Sequence, residues 1–186
     1  AASDNGWYDA NPGSSNTSVN FEAYSALAYE IAWELGDPPT TVALPVGNGT
    51  TLAGVHMGFR RLKDLGYIES VPRMIGVTTV HGNSAIDSFL SGRDSAVPTP
   101  SVKETKYNEP LVSMISFDGD AALRALRESG GGALRVPDRV MLGHSRLLRE
   151  LEGIDVLPAS ASVVEALRGL DGGTHVLVFT SRWHLP

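Results

Sequence analysis

Three runs of β-branched and apolar residues, TVALPV (41–46), RMIGVTTV (73–80) and THVLVFT (174–180), are separated by segments whose apolar residues recur every three or four positions. Strand-length runs alternating with helix-length amphipathic patterns leave few folds open. Each strand must be joined to the next by a crossover, which makes the sheet mostly parallel and places helices on both of its faces. The expected class is α/β, a three-layer α/β/α unit around a doubly wound sheet. THVLVFT is the most apolar of the runs, too uniform for a half-exposed position.

The helical patterns fill the gaps. From Asn20, the expected N-cap, Phe21, Tyr24, Ala28, Ile31 and Leu35 share one face until Gly36-Asp37-Pro38-Pro39 ends the pattern. Leu52, Val55, Phe59, Leu62 and Leu65 do the same up to Gly66. Asp120 is placed to cap AALRALRE, Asp138 to cap RVMLGHSRLLRELE and Ser160 to cap ASVVEALRGL, with Gly130-Gly131-Gly132 and Gly172-Gly173 as stops. LVSMISF (111–117) and ALRVP (133–137) read as further strands, and IDVL (154–157) as a short apolar piece. Residues 81–110 read as a long irregular stretch, of which residues 82–110 are of the kind that borders active sites. Residues 1–19, rich in Gly, Ser, Asn and Asp, are expected to be irregular, with Trp7 and Tyr8 docking on the rest. Residues 20–186 form the single α/β domain.

Composition narrows the function classes. With 186 residues and 42% hydrophobic content, the chain is long enough for one sizeable core. No apolar stretch approaches the ~20 residues of a membrane span, and AASDNGWYDANPG lacks the basic flank and apolar centre of a signal peptide, so the expectation is a cytoplasmic protein without a membrane partner. Cysteine is absent, which excludes disulfides, thiolate metal sites and a cysteine nucleophile. The net charge of −6 is spread along the chain, and no basic patch with interleaved aromatics invites a nucleic acid. His56, His81, His144, His175 and His184 show no metal-ligand spacing, so no metal site is expected. His144-Ser145 falls within a helical pattern rather than on a nucleophile elbow.

The chemistry-bearing feature is Gly47-Asn48-Gly49-Thr50-Thr51, which joins the first strand to the second helix. Glycines let a backbone approach a ligand closely, successive N–H groups converge, and the following helix presents its positive end; together these favour a phosphate without any lysine. Thr50 and Thr51 are available as hydroxyl donors. The plainer alternative is a tight strand-to-helix turn with no ligand. Neither a Walker loop nor GxGxxG is present.

The stretch AYEIAWELGDPPTTVALPVGNGTTLAGVHMGFRRLKDLG through PRMIGV resembles the phosphate-loop region of fold-type II pyridoxal phosphate enzymes of the tryptophan synthase beta superfamily, above all threonine synthase. ALRALRESGGGALRVPD, LEGIDVLPASASVVEAL and HVLVFTS are similar, in order and spacing, to the closing third of that family. The likeness covers roughly residues 20–182 and corresponds to the C-terminal part of the family's large domain. It implies pyridoxal 5'-phosphate as cofactor, with its phosphate on the backbone of Gly47, Asn48, Gly49, Thr50 and Thr51. It also implies that Thr180, with Ser181 as neighbour, hydrogen-bonds the pyridine nitrogen. A neutral hydroxyl there disfavours full protonation of the ring and so helps select the reaction.

The resemblance further implies an amino-acid substrate, with O-phosphohomoserine converted to threonine. It also implies an N-terminal half bearing the lysine that binds the cofactor as a Schiff base, and leaves a homodimer open. Lys63, Lys103 and Lys106 do not fit that lysine's setting, so no residue here is assigned a catalytic role and the chain alone is expected to be inactive. Thr50 stands where the family usually has another glycine, and Leu157 where it often has Glu. Two alternatives stay open: a serine or threonine dehydratase or other β-replacing enzyme of the same family, and a stand-alone, non-catalytic module that binds a phosphorylated ligand or a partner.

Overall fold

A computed structural model describes residues 3–7 and 16–182. In chain order the elements are α1 (Thr17–Leu35), β1 (Thr41–Pro45), α2 (Thr50–Asp64), β2 (Arg73–Thr79), α3 (Ser84–Leu90), α4 (Gly119–Glu128), β3 (Gly132–Val136), α5 (Asp138–Glu152), α6 (Pro158–Ala161), a 3-10 helical segment Ser162–Gly169, and β4 (His175–Leu177). The sheet is parallel throughout and ordered β3-β2-β1-β4, with Leu44 opposite Gly76, Gly76 opposite Ala133, and Ala43 opposite Leu177.

Strand alternation divides the core into two. Val42 and Leu44 of β1, Met74 of β2 and Val176 of β4 face α2, α3 and α4, where Leu52, Val55, Phe59, Ile86 and Leu126 meet them. Ala43, Ile75, Val77 and Leu177 point the other way, onto Met141 of α5, Ala159 of α6 and Val163 of the 3-10 segment. These are the expected three layers. Helix α1 lies outside them, packed on α2 across Gly54 and Gly58: a β-carbon at Gly54 would stand 2.6 Å from Tyr24 Cβ, and one at Gly58 2.7 Å from Ala28 Cβ. Two glycines one turn apart thus bring α1 close enough for Tyr24 to reach the end of the sheet.

The winding positions the site. The sheet grows from β1 through β2 to β3 in one direction, then the chain returns past α5 and α6 to lay β4 on the other side of β1. Where the direction reverses, the loops after β1 and β4 diverge and leave a crevice above their C-terminal ends, the usual ligand position in open α/β sheets.

Several expectations are corrected. Only His175–Leu177 of THVLVFT enter the ladder, and residues 175–179 are half-buried, because β4 is an edge strand with a partner on one side only. LVSMISF is not a strand. Leu111 closes a 3-10 turn and Ser113 makes one isolated bridge to Asn83. Ser113 and Ser116 are turned inward while Met114, Ile115 and Phe117 are exposed, the reverse of a buried apolar run. The stretch 81–110 contains α3, and α1 starts at Thr17 rather than after Asn20. Trp7 is 71% exposed rather than docked, while Tyr8 and His184 lie outside the described residues. Among the described residues, no helix is long and apolar enough to cross a membrane.

Candidate functional site

The crevice between the ends of β1 and β4 holds a cavity of about 250 Å³. Gly47, Asn48, Gly49, Thr50, Thr51 and Thr180 all line it, so the structure brings the six site residues expected from the sequence to one place. Tyr24 of α1, Ser160 of α6 and Ser181 complete its polar wall.

The loop's carbonyls are held on the side away from the cavity. Val46 O accepts from Thr78 Oγ1 at 2.9 Å and from Asn83 Nδ2 at 3.1 Å. Gly47 O accepts from Asn83 Nδ2 at 2.9 Å and from Ser116 Oγ at 3.1 Å, and Asn48 O accepts the Asp118 N–H at 3.1 Å. In a trans peptide the N–H points opposite to the C=O. The N–H groups of Gly47, Asn48 and Gly49 are therefore directed away from these anchors, and all three residues line the cavity. Helix α2 begins directly afterwards. Its first internal bond runs from Ala53 N–H to Gly49 O at 3.0 Å, so the N–H groups of Thr50, Thr51 and Leu52 have no acceptor within the helix. A concave row of N–H groups ahead of a fifteen-residue helix attracts an anion through peptide dipoles alone.

Two sequence expectations need amendment here. The glycines do not leave space on the ligand side. A β-carbon at Gly47 would stand 2.4 Å from Pro110 O, and one at Gly49 would stand 2.8 Å from Ala122 Cβ, with φ at +92°. Their side-chain directions are filled by the 110–111 segment, itself part of the cavity wall, and by α4, so close packing against the loop is what excludes larger residues. Nor is the Thr50 hydroxyl a free donor. It is buried and donates to Asp118 Oδ2 at 2.6 Å, while Thr17 donates to Asp118 Oδ1 at 2.8 Å. Thr51 takes no part in that cluster and is half-buried on the cavity wall.

The opposite wall is set by α6. Ser160, 1% exposed, accepts the Thr180 N–H on its Oγ at 2.8 Å, which fixes the end of the last strand beside the loop. Since Ser160 accepts in this bond, its own proton remains available toward the cavity it lines. Ser160 lies inside α6, with Leu157 at the N-cap position, and so does not cap the helix as expected. Thr180 is exposed. Lys63, Lys103 and Lys106 are exposed, and none lines the cavity.

Sequence reading missed the loop's anchors. Asn83 and Thr78 are fully buried, and Ser116 and Asp118 nearly so. Asn83 carries the one local signal: its Oδ1 caps α3 by accepting Ile86 N–H at 3.0 Å, and its N–H bonds Asp87 Oδ2 at 3.0 Å, a reciprocal cap written as Asn-x-x-x-Asp. Elsewhere, His56 of α2 is 6% exposed, and burial lowers its pKa, with smaller opposing and reinforcing effects from Glu128 and Arg60. Among the described residues, no group of three His, Asp or Glu side chains is arranged to hold a metal.

Comparison with known proteins shows the family and the fold. The family described as pyridoxal-phosphate dependent enzyme matches residues 1–181. Threonine synthase of Methanosarcina acetivorans is 32% identical over 174 residues, covering 88% of this chain and 42% of that protein. That of Methanocaldococcus jannaschii is 29% identical over 154 residues, covering 80% of this chain and 36% of that protein. The chain thus spans about two fifths of the length of these curated relatives. Among solved structures, a T.th. threonine deaminase superposes with a TM-score of 0.68 at 23% identity, covering 89% of this chain and 60% of that one. Maize serine racemase gives 0.76 at 14% identity, covering 100% and 55%. At those identities the likeness shows the shared fold. With the family match running through both walls of the cavity, the chain belongs to the pyridoxal-phosphate-dependent enzymes.

Proposed function

We propose that Gly47, Asn48, Gly49, Thr50 and Thr51 hold the phosphate of pyridoxal phosphate through their backbone N–H groups, and that Thr180 meets its pyridine nitrogen. In this reading the chain is the cofactor-binding part of a threonine synthase-like enzyme, in which O-phosphohomoserine and water give threonine and phosphate. The observation that carries it is the meeting of the residue 47–51 loop and Thr180 on one cavity at the switch point of the sheet. The donor set fits the group: a row of N–H groups and a helix start for a dianion, and neutral hydroxyls from Ser160, Thr180 and Ser181 for a ring nitrogen. The cavity's 250 Å³ is below the roughly 300–1,000 Å³ of complete small-molecule sites, which suits one side of a cleft.

When bound, the cofactor supplies the electron sink that loss of the γ-phosphate and addition of water require. This chain's residues bind and orient. The loop and α2 anchor the phosphate end; Thr180, fixed by Ser160, sets the ring end with a hydroxyl in place of a charge. The reactive lysine belongs to polypeptide beyond these 186 residues. Large apolar side chains left in water, among them Trp33 at 87%, Tyr67 at 76% and Phe117 at 68% exposure, support a larger assembly around this unit.

Titration of the chain with pyridoxal phosphate, followed by calorimetry, is expected to show saturable binding that inorganic phosphate competes away. The chain itself is expected not to turn over O-phosphohomoserine. Native polypeptide carrying this sequence, purified from its source, is expected to release phosphate and threonine from it. Absence of saturable binding overturns the site assignment, and deamination of serine or threonine in place of that reaction moves the activity to the dehydratases.

A further inference from the structure

The loop contains two peptides joined at Gly47, Val46–Gly47 and Gly47–Asn48, whose carbonyls are those of Val46 and Gly47. Such peptides can rotate half a turn with little movement of the neighbouring Cα atoms, because glycine accepts both signs of φ. A rotation exchanges N–H for C=O on the cavity side and turns an anion-attracting surface into a repelling one. Something must therefore hold the carbonyls outward.

We propose that Asn83 is the positioning residue that fixes the polarity of this loop and so decides whether the site accepts a phosphate monoester. The proposal rests on the phosphate-loop reading above and adds the residue on which it depends. Asn83 is fully buried, and its Nδ2 lies 3.1 Å from Val46 O, 2.9 Å from Gly47 O and 2.8 Å from Leu111 O. Three acceptors share two protons, so the amide is saturated on that side. Its Oδ1 is held by Ile86 N–H at 3.0 Å, which prevents the amide from turning over. Its backbone is fixed too, through the Asp87 carboxylate and the Ser84 N–H bond to Ser113 O.

One side chain thus ties the strand end, the loop and the Pro110–Leu111 wall to α3. Ser116 is the second donor to Gly47 O and Thr78 the second to Val46 O, so each carbonyl has two holds, and Asn83 is the member common to both. The two residues nearest to it in capping behaviour do not do this work. Aspartate keeps the cap on α3 but turns an acceptor toward three carbonyls. Serine keeps the cap and is too short to reach them.

The test uses the whole chain with two probes, inorganic phosphate and pyridoxal phosphate. Affinities are measured by calorimetry, and the amide signals of residues 47–49 are followed by NMR. In the wild type, phosphate is expected to move the Gly47, Asn48 and Gly49 amide protons downfield. Asn83→Ser is expected to lose at least about tenfold in affinity for both probes and to lose that amide response; a role confined to holding the fold would leave the response intact at saturation. Ser116→Ala, which keeps the Asn83 cap on Ile86 N–H and at the start of α3 removes only the longer 3.3 Å acceptor of Ala85 N–H, is expected to lose a smaller factor in the same direction, and it decides the matter if Asn83→Ser does not fold. Wild-type affinity and amide response in both variants overturn the role of Asn83 while leaving the phosphate loop standing. A wild-type chain that binds neither probe overturns both.

Discussion

The Thr50 hydroxyl donates to Asp118 Oδ2 across 2.6 Å, joining the first residue of α2 to the start of α4, 68 positions along the chain. Thr17 at the start of α1 donates to the other carboxylate oxygen at 2.8 Å, so three helix starts meet on one buried acid. Removing a donor from a buried carboxylate costs stability, whereas the α2 N–H groups that serve the cavity belong to the backbone. Thr50→Val is therefore expected to lower unfolding free energy by about 1–3 kcal/mol with little change in phosphate affinity. Thr51→Ala, which keeps the N–H but removes a hydroxyl from the cavity wall, is expected to do the reverse, weakening phosphate binding and leaving stability within about 0.5 kcal/mol. Urea unfolding and phosphate titration of both variants check this; stronger loss of binding in Thr50→Val would return the hydroxyl to the ligand side.

Gly130, Gly131 and Gly132 look alike in sequence and differ in the structure. Gly130 has φ of +60° and open space around it. A β-carbon at Gly131 would stand 1.9 Å from the Met74 carbonyl oxygen, against the backbone of β2, while one at Gly132 finds Ile75 Cδ1 at a comfortable 3.6 Å. Alanine is expected to cost about 1 kcal/mol at Gly130, about 3 kcal/mol at Gly131 by forcing β2 aside, and within about 0.5 kcal/mol at Gly132. Denaturant midpoints of the three single variants give the order directly.

What could be read from the sequence follows the range of each interaction. β1, β2, α2 and the loop between β1 and α2 were legible, because Val42, Leu44, Met74, Leu52, Val55 and Phe59 set the pattern of burial within a few residues of chain. The edge position of β4 was not, since strand order depends on which neighbour pairs with it and not on its own apolarity. Residues 111–117 misled for a physical reason: Ser113 and Ser116 face inward to bond the loop, so the apolar residues between them face out. The Ser84–Leu90 helix is only seven residues long and too polar to show a period. At the site, the Gly47–Thr51 turn was visible as a local motif, whereas Thr180 was singled out only through the family resemblance. Asn83, Ser116 and Asp118 act on the loop from 36, 69 and 68 residues away, a separation that no single-sequence pattern spans.

Burial holds the His56 pKa below its ordinary value, which makes stability sensitive to acid. The sign follows from proton uptake. As pH falls through about 6.5, the ordinary histidine value, the unfolded chain binds a proton that the folded chain still refuses, and the unfolded state gains. Stability contributed by neutral His56 is thus complete above about pH 7, and it declines below that until the folded group also protonates. The urea midpoint of the wild type minus that of His56→Gln, measured from pH 5 to 8, is expected to fall with decreasing pH. A flat difference would mean that His56 is hydrated in solution.

If the loop binds phosphate as proposed, inorganic phosphate fills only one end of the cavity, and the two ends are separable by chemistry. Ser160 accepts the Thr180 N–H at 2.8 Å and touches nothing in the residue 47–49 loop's hydrogen-bond network. Thr180 is exposed, so water replaces a lost acceptor and Ser160→Ala is expected to cost about 1 kcal/mol or less in stability. Affinity for pyridoxal phosphate is expected to fall in Ser160→Ala and in Thr180→Val, since both disturb the hydroxyl proposed to meet the ring nitrogen. Affinity for inorganic phosphate is expected to stay at the wild-type value in both. Equal losses for the two ligands would place Thr180 on the phosphate and remove the pyridine contact from this strand end.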